Sequence, residues 1–323
     1  MIKKNLIKID NFLGSQAYKV FGGKKGITIL LFHSVYKNND DLNNQYLLPS
    51  LGITIADLES IFKFLINNNF VFLSLDELEN TSQLDSKKKY IYITFDDGYF
   101  NNLLIIDLIN KYRIPVHLFV NSYNILYNKK YWWDIIYTHE VIKNTNIIDI
   151  ETQIHEFSKF SLSNILDKLY QKYGKNCEFP NNDIDRPMHL EELKEFASNK
   201  FVTIGNHSHS HSMVTSMSKK EFIIDISECN KFLQKLLNFQ TNSFSYPYGI
   251  SHKKYHTYLK EKNYKFIFTG DSYINEVGGL NNNFLLLGRF SPSQDMNLIN
   301  QIKSFSFNNT PVNLIKKLKL FFK

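Results

Sequence analysis

Short apolar runs alternating with amphipathic stretches constrain this chain more than any other feature. Runs that read as buried strands are "ITILLF" (27–32), "FVFLSL" (70–75), "YIYITF" (90–95), "VHLFV" (116–120), "FVTI" (201–204), "SFSY" (243–246) and "KFIFT" (265–269). Helical patterns fall between them, near 55–68, 100–112, 189–199, 218–238 and 252–263. Strands that alternate with helices pair in parallel, and nearly continuous apolar strands are those covered on both faces. The pattern predicts an α/β fold on a parallel sheet, either open or closed into a barrel. Residues 121–187 break the rhythm with "YWWDIIY", helical stretches and a polar "PNNDIDRP", and predict a helical insertion lying over the strand ends.

In such folds the chemistry sits beyond the carboxyl ends of the strands. His33, the pair Asp96 and Asp97, His207 and the tripeptide "PYG" (247–249) each follow a predicted strand. The segment "IGNHSHSHSMV" (204–214) sets histidines at 207, 209 and 211. On a strand all three would share a face; on a helical turn His207 and His211 would be neighbours and His209 would point away. Gly205 and Asn206 are turn formers, so the strand is expected to end there, with the histidines on a loop or a first helical turn. That favours His207 with His211. One carboxylate from "YITFDDGY" (92–99) and two imidazoles satisfy a catalytic zinc ion and leave a position for water. The second carboxylate could take that water's proton. The competing readings are solvated turn histidines and a D-D-G sequence that merely turns a loop.

"TFDDGY", "GNHSHSH" and "FSYPYG", in that order, resemble the three principal motifs of the polysaccharide deacetylases, the NodB-homology family of carbohydrate esterases. "MHLEELKEFASNKFVTIGNHSHSH" is similar to the approach to the second motif, while "YWWD" and "LLLGRF" (285–290) resemble features of a subgroup encoded among surface-polysaccharide genes. The resemblance spans about residues 27–292 of a single 323-residue domain. It implies a distorted (β/α) barrel of about seven parallel strands. It implies a divalent metal, zinc first, with cobalt, nickel or manganese as substitutes, on Asp97, His207 and His211. Asp96 would be the general base, the Tyr248 N–H would stabilise an oxyanion, and Pro247 and Gly249 would shape the substrate loop. Ser208 and Ser212 would support the histidine loop, and His209 falls at a variable position.

The sequence departs from the family pattern in two places. Many members orient the base with an arginine in the third motif, where this chain has Ser245 and Tyr246; Arg289 is the candidate replacement and is also grouped with the substrate-binding residues. The usual late Leu-x-His with the general acid is not evident. Relatives with a rearranged strand order use an early histidine, which makes His33 in "LLFHSV" the candidate acid; a loop histidine satisfied by hydrogen bonds competes with that reading. Trp133 is a candidate for stacking on substrate, although adjacent tryptophans commonly divide between core and surface.

The expected reaction is hydrolysis of the N-acetyl group of an amino sugar in a glycan or in a lipid-linked or nucleotide-linked precursor. A sugar O-acetyl esterase and a non-catalytic sugar-binding protein are the alternatives. The net charge of +7 admits an anionic surface or substrate, but no basic run is interleaved with aromatics, so nucleic acid is not expected. Cys177 and Cys229 are too few for a disulfide framework and are expected to be idle or buried. "MIKKNLIKIDNFLG" has the lysines of a signal peptide, but Lys8, Asp10 and Asn11 interrupt any apolar core, so residence in the cytoplasm is expected. In "PVNLIKKLKLFFK" (311–323) the apolar residues gather on one arc of a helical wheel and the lysines lie outside it. Such a basic amphipathic helix either meets the inner membrane surface or docks on the domain.

Overall fold

The apolar runs do become strands. The computed structural model describes residues 2–277, 284–294 and 296–307. Its strands are β1 (Gly26–Phe32), β2 (Ser34–Tyr36), β3 (Gly52–Thr54), β4 (Phe70–Phe72), β5 (Lys89–Asp97), β6 (Val116–Val120), β7 (Val202–Asn206), β8 (Ser243–Ser245), β9 (Phe266–Phe268) and β10 (Leu285–Leu287). The main sheet runs β1-β5-β6-β7-β8-β9-β10, with β4 beside the first half of β5, while β2 and β3 pair separately. Every strand pairing along that path is parallel. The sheet then curls back on itself. The Leu31 N–H donates to Phe290 O, and the Phe290 N–H donates to Ile29 O, both at 2.8 Å. The Asn275 side chain bonds Ile27 O and both backbone groups of Gly288, filling the seam between β1 and the end of β10. The result is the expected distorted (β/α) barrel, seven strands around and nearly closed.

Period-two alternation sorts the side chains into layers. Ile27 and Ile29 of β1, Tyr90 and Tyr92 of β5, Phe119, Phe266 and Phe268 pack together inside the barrel. Their neighbours Leu30, Phe32, Ile91, Ile93 and Phe95 face outward and pack under the helices Ile55–Asn67, Ile106–Tyr112 and Leu190–Ser198. Each such side chain fully buried contributes about 1.5–3 kcal/mol. Between residues 121 and 187 a first helix (Ser122–Tyr127) packs into the main core through Ile125, and three more (Trp132–Ile142, Ile147–Phe157, Leu162–Tyr173) form around an apolar cluster of their own. That cluster takes in Leu47, Leu48 and Tyr99, so these helices lie over the strand ends.

Several expected boundaries shift. The strand expected to end before Gly205 continues through Asn206, because Gly205 is squeezed against β6: a Cβ there would stand 2.4 Å from the Phe119 ring. The 70–75 strand stops at Phe72, since Ser74 caps a helix that starts at Leu75. The helix Ile2–Phe21 was not anticipated, its lysines having drawn attention to targeting instead. Among the described residues no helix is long and apolar enough to cross a membrane. The tail helix expected at 311–323 lies outside the described residues.

Candidate active site

A cavity of about 370 Å³ opens at the carboxyl ends of the strands, lined by His33, Asp96, Asp97, Trp133, His207, His211, Tyr248 and Gly249 among others. Strand alternation alone would throw the adjacent Asp96 and Asp97 to opposite faces. Asp97 escapes this through a left-handed backbone, φ 79°, at the last residue of β5. The same conformation recurs at Ser208 (71°), His211 (51°) and Tyr248 (59°). Elsewhere among the described residues positive φ outside glycine falls on five asparagines and Arg113. Asparagine tolerates that region; serine, histidine and tyrosine do so at a cost, and such strain gathers at functional sites.

Asp97, His207 and His211 converge. Their ligand atoms lie within 4.8 Å of one another, and all three residues are buried. Asp97 Oδ1 is 3.4 Å from His207 Nε2 and 3.3 Å from His211 Nε2, yet among the described residues it has no hydrogen-bond partner despite its burial. His207 Nδ1 is 2.9 Å from the carbonyl of Ser245, which fixes that nitrogen as the N–H and leaves Nε2 bare. Burial opposes ionisation of Asp97, but His207 and His211 prevail and hold its pKa far below the usual carboxylate range. A lone carboxylate oxygen facing two imidazole nitrogens is a donor set that fits a divalent cation of the zinc type. The histidines meet without a helix. Residues 207–213 form an irregular loop, pinned by Ser208 Oγ accepting from the His211 N–H at 3.0 Å and by the Ser210–Ser212 hydroxyl pair. His209 turns away, with Nδ1 on Ser122 Oγ and Nε2 3.6 Å from Glu228.

Asp96 has a different partner. Arg289 binds it through two parallel hydrogen bonds, Nη1 to Oδ1 and Nη2 to Oδ2, each 2.8 Å. Its remaining N–H groups go to Thr269 O, Thr94 Oγ1 and Ser245 Oγ. All five guanidinium donors are thus spent and the side chain is buried, so Arg289 does not reach the cavity. Its grouping with substrate-binding residues is corrected: it sits behind Asp96. Burial alone would raise the Asp96 pKa, but Arg289 and then His207 outweigh it, and the carboxyl is held below its ordinary value. Ser245, noted in the sequence merely as a departure, also donates from Oγ to Asp96 Oδ2 at 3.1 Å. The alternation of "SFS" carried that signal, since Ser243 and Ser245 share the inward face.

His33 lines the cavity, partly exposed into it. Burial lowers its pKa, with Asp97 and Asp96 pulling the other way. Trp133 is buried and leans on His211, ring centroids 4.7 Å apart; its Nε1–H donates to Tyr99 OH, which donates to Asp134. Tyr248 also packs on His211, ring centroids 5.0 Å apart. Gly249 is required where it is, for a Cβ would come within 2.5 Å of Gly270 Cα. Pro247 is buried beneath the loop. Sequence reasoning missed Tyr131, whose hydroxyl holds the Asp97 carbonyl at 2.7 Å, and the aliphatic wall of Leu31, Leu48, Leu51 and Ile154.

A family model described as polysaccharide deacetylase matches residues 83–267. Among solved structures, IcaB from Ammonifex degensii is similar at 16% identity and TM-score 0.61, covering 88% of this chain and 98% of that one. A de-N-acetylase from Aggregatibacter actinomycetemcomitans shows 18% identity and TM-score 0.57, covering 86% and 99%. The deacetylase PplD from Streptococcus pyogenes shows 17% identity and TM-score 0.56, covering 87% and 98%. At such identities the likeness is one of fold. No curated protein matches the sequence.

Proposed function

This chain belongs to the polysaccharide deacetylase family, and from that premise we propose that it is a metal-dependent hydrolase that removes the N-acetyl group of an amino sugar. One observation carries the reading: two adjacent carboxylates have opposite environments, Asp96 clamped by Arg289 and Asp97 left bare before two imidazoles. Paired groups so divided are a signature of divided labour.

A divalent ion held by Asp97, His207 and His211 would supply Lewis acidity to the amide carbonyl and lower the pKa of water to about 7. Asp96, kept ionised by Arg289, takes the attacking water's proton onto its carboxylate. The Tyr248 N–H, presented by the turned backbone at that residue, faces the oxygen on which negative charge develops. The His33 imidazolium, the form that Asp97 and Asp96 favour, delivers its proton to the departing nitrogen as the C–N bond breaks, leaving acetate and a free amino sugar. Trp133 and the aliphatic wall exclude bulk water. A lipid-linked or nucleotide-linked precursor handled in the cytoplasm is part of the proposal; the basic tail favours the lipid-linked kind, and cell fractionation tests the location.

The experiment is acetate release from matched N-acetyl and O-acetyl sugars, before and after chelation and zinc restoration. Release from the amide that stops on chelation and returns with zinc supports the proposal. Release from the ester alone would make the protein an esterase, and no hydrolysis with metal restored would make it a binding protein.

A further inference from the structure

The N-terminal helix Ile2–Phe21 is amphipathic the wrong way round for a helix packed on its own domain. Asn11, Gly14, Ser15 and Tyr18, spaced 3, 1 and 3 residues apart, form the buried stripe. Three of these four are small or polar. Ser15 Oγ donates to Asn300 Oδ1 at 3.0 Å, Asn11 Nδ2 approaches Met296 Sδ at 3.4 Å, and Ser304 Oγ donates to Asp10 O at 3.4 Å. Gly14 lets the helix press on Leu298–Phe305, since a Cβ would meet Ser304 Oγ at 2.4 Å. The opposite stripe is apolar and open: Ile9 is 54% exposed, Phe12 60%, Leu13 42% and Val20 73%. Among the described residues, domain docking therefore consumes the polar face and leaves the apolar face without a partner, contrary to the usual arrangement.

We propose that this face rests on an anionic lipid surface. The charge around it selects that partner. Lys8 and Lys19 are exposed beside the apolar stripe, and within Ile2–Phe21 four lysines stand against a single acid, Asp10. Long lysine stems reach past an apolar stripe to lipid phosphates while the stripe enters the acyl boundary. The position of the remaining chain agrees. Phe307 stacks on Phe21 at 6.1 Å, so residues 308–323 begin at the C-terminal end of this same helix. Those residues bring Lys316, Lys317, Lys319 and Lys323 and no acid. The helix ends beside Phe307, the last described residue, and each basic side chain near an anionic surface adds to the attraction. This inference stands apart from the catalytic reading, because the helix contributes nothing to the cavity lining.

The test is flotation of the full chain with vesicles of phosphatidylglycerol and phosphatidylcholine, comparing wild type, the double variant Phe12→Glu/Leu13→Glu, and a chain ending at residue 307. Wild type is expected to float with anionic vesicles and less with pure phosphatidylcholine. The double variant is expected to partition at least about tenfold less, since two carboxylates would have to enter the acyl boundary. Its circular dichroism and acetate release with a soluble substrate should be unchanged, both positions being on the surface. The shortened chain should bind more weakly but remain sensitive to the same double substitution. Equal partition of wild type and double variant would overturn the proposal. So would failure of wild type to float, whether the face proves to be covered by the chain's own tail or by a second copy in a dimer that the double variant dissociates.

Discussion

Replacing Arg289 by methionine keeps the bulk of the stem and removes the charge that faces Asp96. With both Nη atoms 2.8 Å from the carboxylate oxygens, the charge centres are about 4 Å apart. At an effective dielectric of about 20 that attraction is about 4 kcal/mol, enough to dominate the protonation of the carboxyl. Burial, which already pushes the Asp96 pKa up, is then opposed mainly by His207. The carboxyl should therefore titrate well above its wild-type range. The assay is ¹³C NMR of aspartate carboxyl carbons across pH, with Asp96→Asn assigning the resonance. Acetate release should fall further below wild type at pH 5.5 than at pH 8, because Asp96 must be ionised to accept a proton. Arg289→Lys, which keeps a charge but loses the paired geometry, should give a smaller shift. Breaking a buried pair costs about 3–5 kcal/mol, so urea unfolding is run alongside to keep both variants folded. An Asp96 resonance that stays in its wild-type titration range in Arg289→Met would refute the electrostatic role of the arginine.

His33→Ala should cut hydrolysis of the N-acetyl sugar by about 10²-fold or more while sparing p-nitrophenyl acetate, whose leaving group needs no proton; equal losses on both substrates would remove His33 from the acid role. Ser245→Ala removes the hydroxyl shared by Asp96 and Arg289 and should lower kcat about tenfold, a charged hydrogen bond being worth about 1.5–3 kcal/mol, with bound metal measured by mass spectrometry unchanged. Asp134, buried and hydrogen-bonded to Tyr99 OH, has its pKa pushed up to about 8 by burial. Its folded-state value is raised, so the stability it contributes is full below the ordinary carboxylate pKa and is lost as pH rises toward 8. Asp134→Asn, which has no proton to lose, should therefore gain on wild type in urea midpoint between pH 5 and pH 8, and a constant difference would contradict the burial argument.

Much of this site was legible in the sequence because each piece is tied to the end of a strand. Asp96 and Asp97 are the last two residues of β5 and His207 follows the last residue of β7, and the order of strands in a closed sheet brings such ends together. Alternation also marked Ser245, which was seen as a missing arginine instead of an inward hydroxyl. What the chain could not announce was backbone conformation. Positive φ at Asp97, His211 and Tyr248 accompanies side chains that meet in the cavity, and at Ser208 it shapes the loop that holds His211; no spacing rule encodes it. Arg289 was nameable from "LLLGRF", but its direction was not, since the barrel closure that places it beside Asp96 depends on residues about 200 positions apart in the chain. The N-terminal helix was hidden for another reason. Its buried face is polar, so a search for an apolar stripe facing the core reads it upside down.

The central claim is the convergence of Asp97, His207 and His211 on one cation, and anomalous diffraction from zinc-soaked crystals tests it most directly. The account predicts one strong peak about 2.0–2.2 Å from an Asp97 carboxylate oxygen and from Nε2 of both histidines, absent in Asp97→Ala. A zinc peak elsewhere with this position empty, together with acetate release that withstands exhaustive chelation, would contradict it.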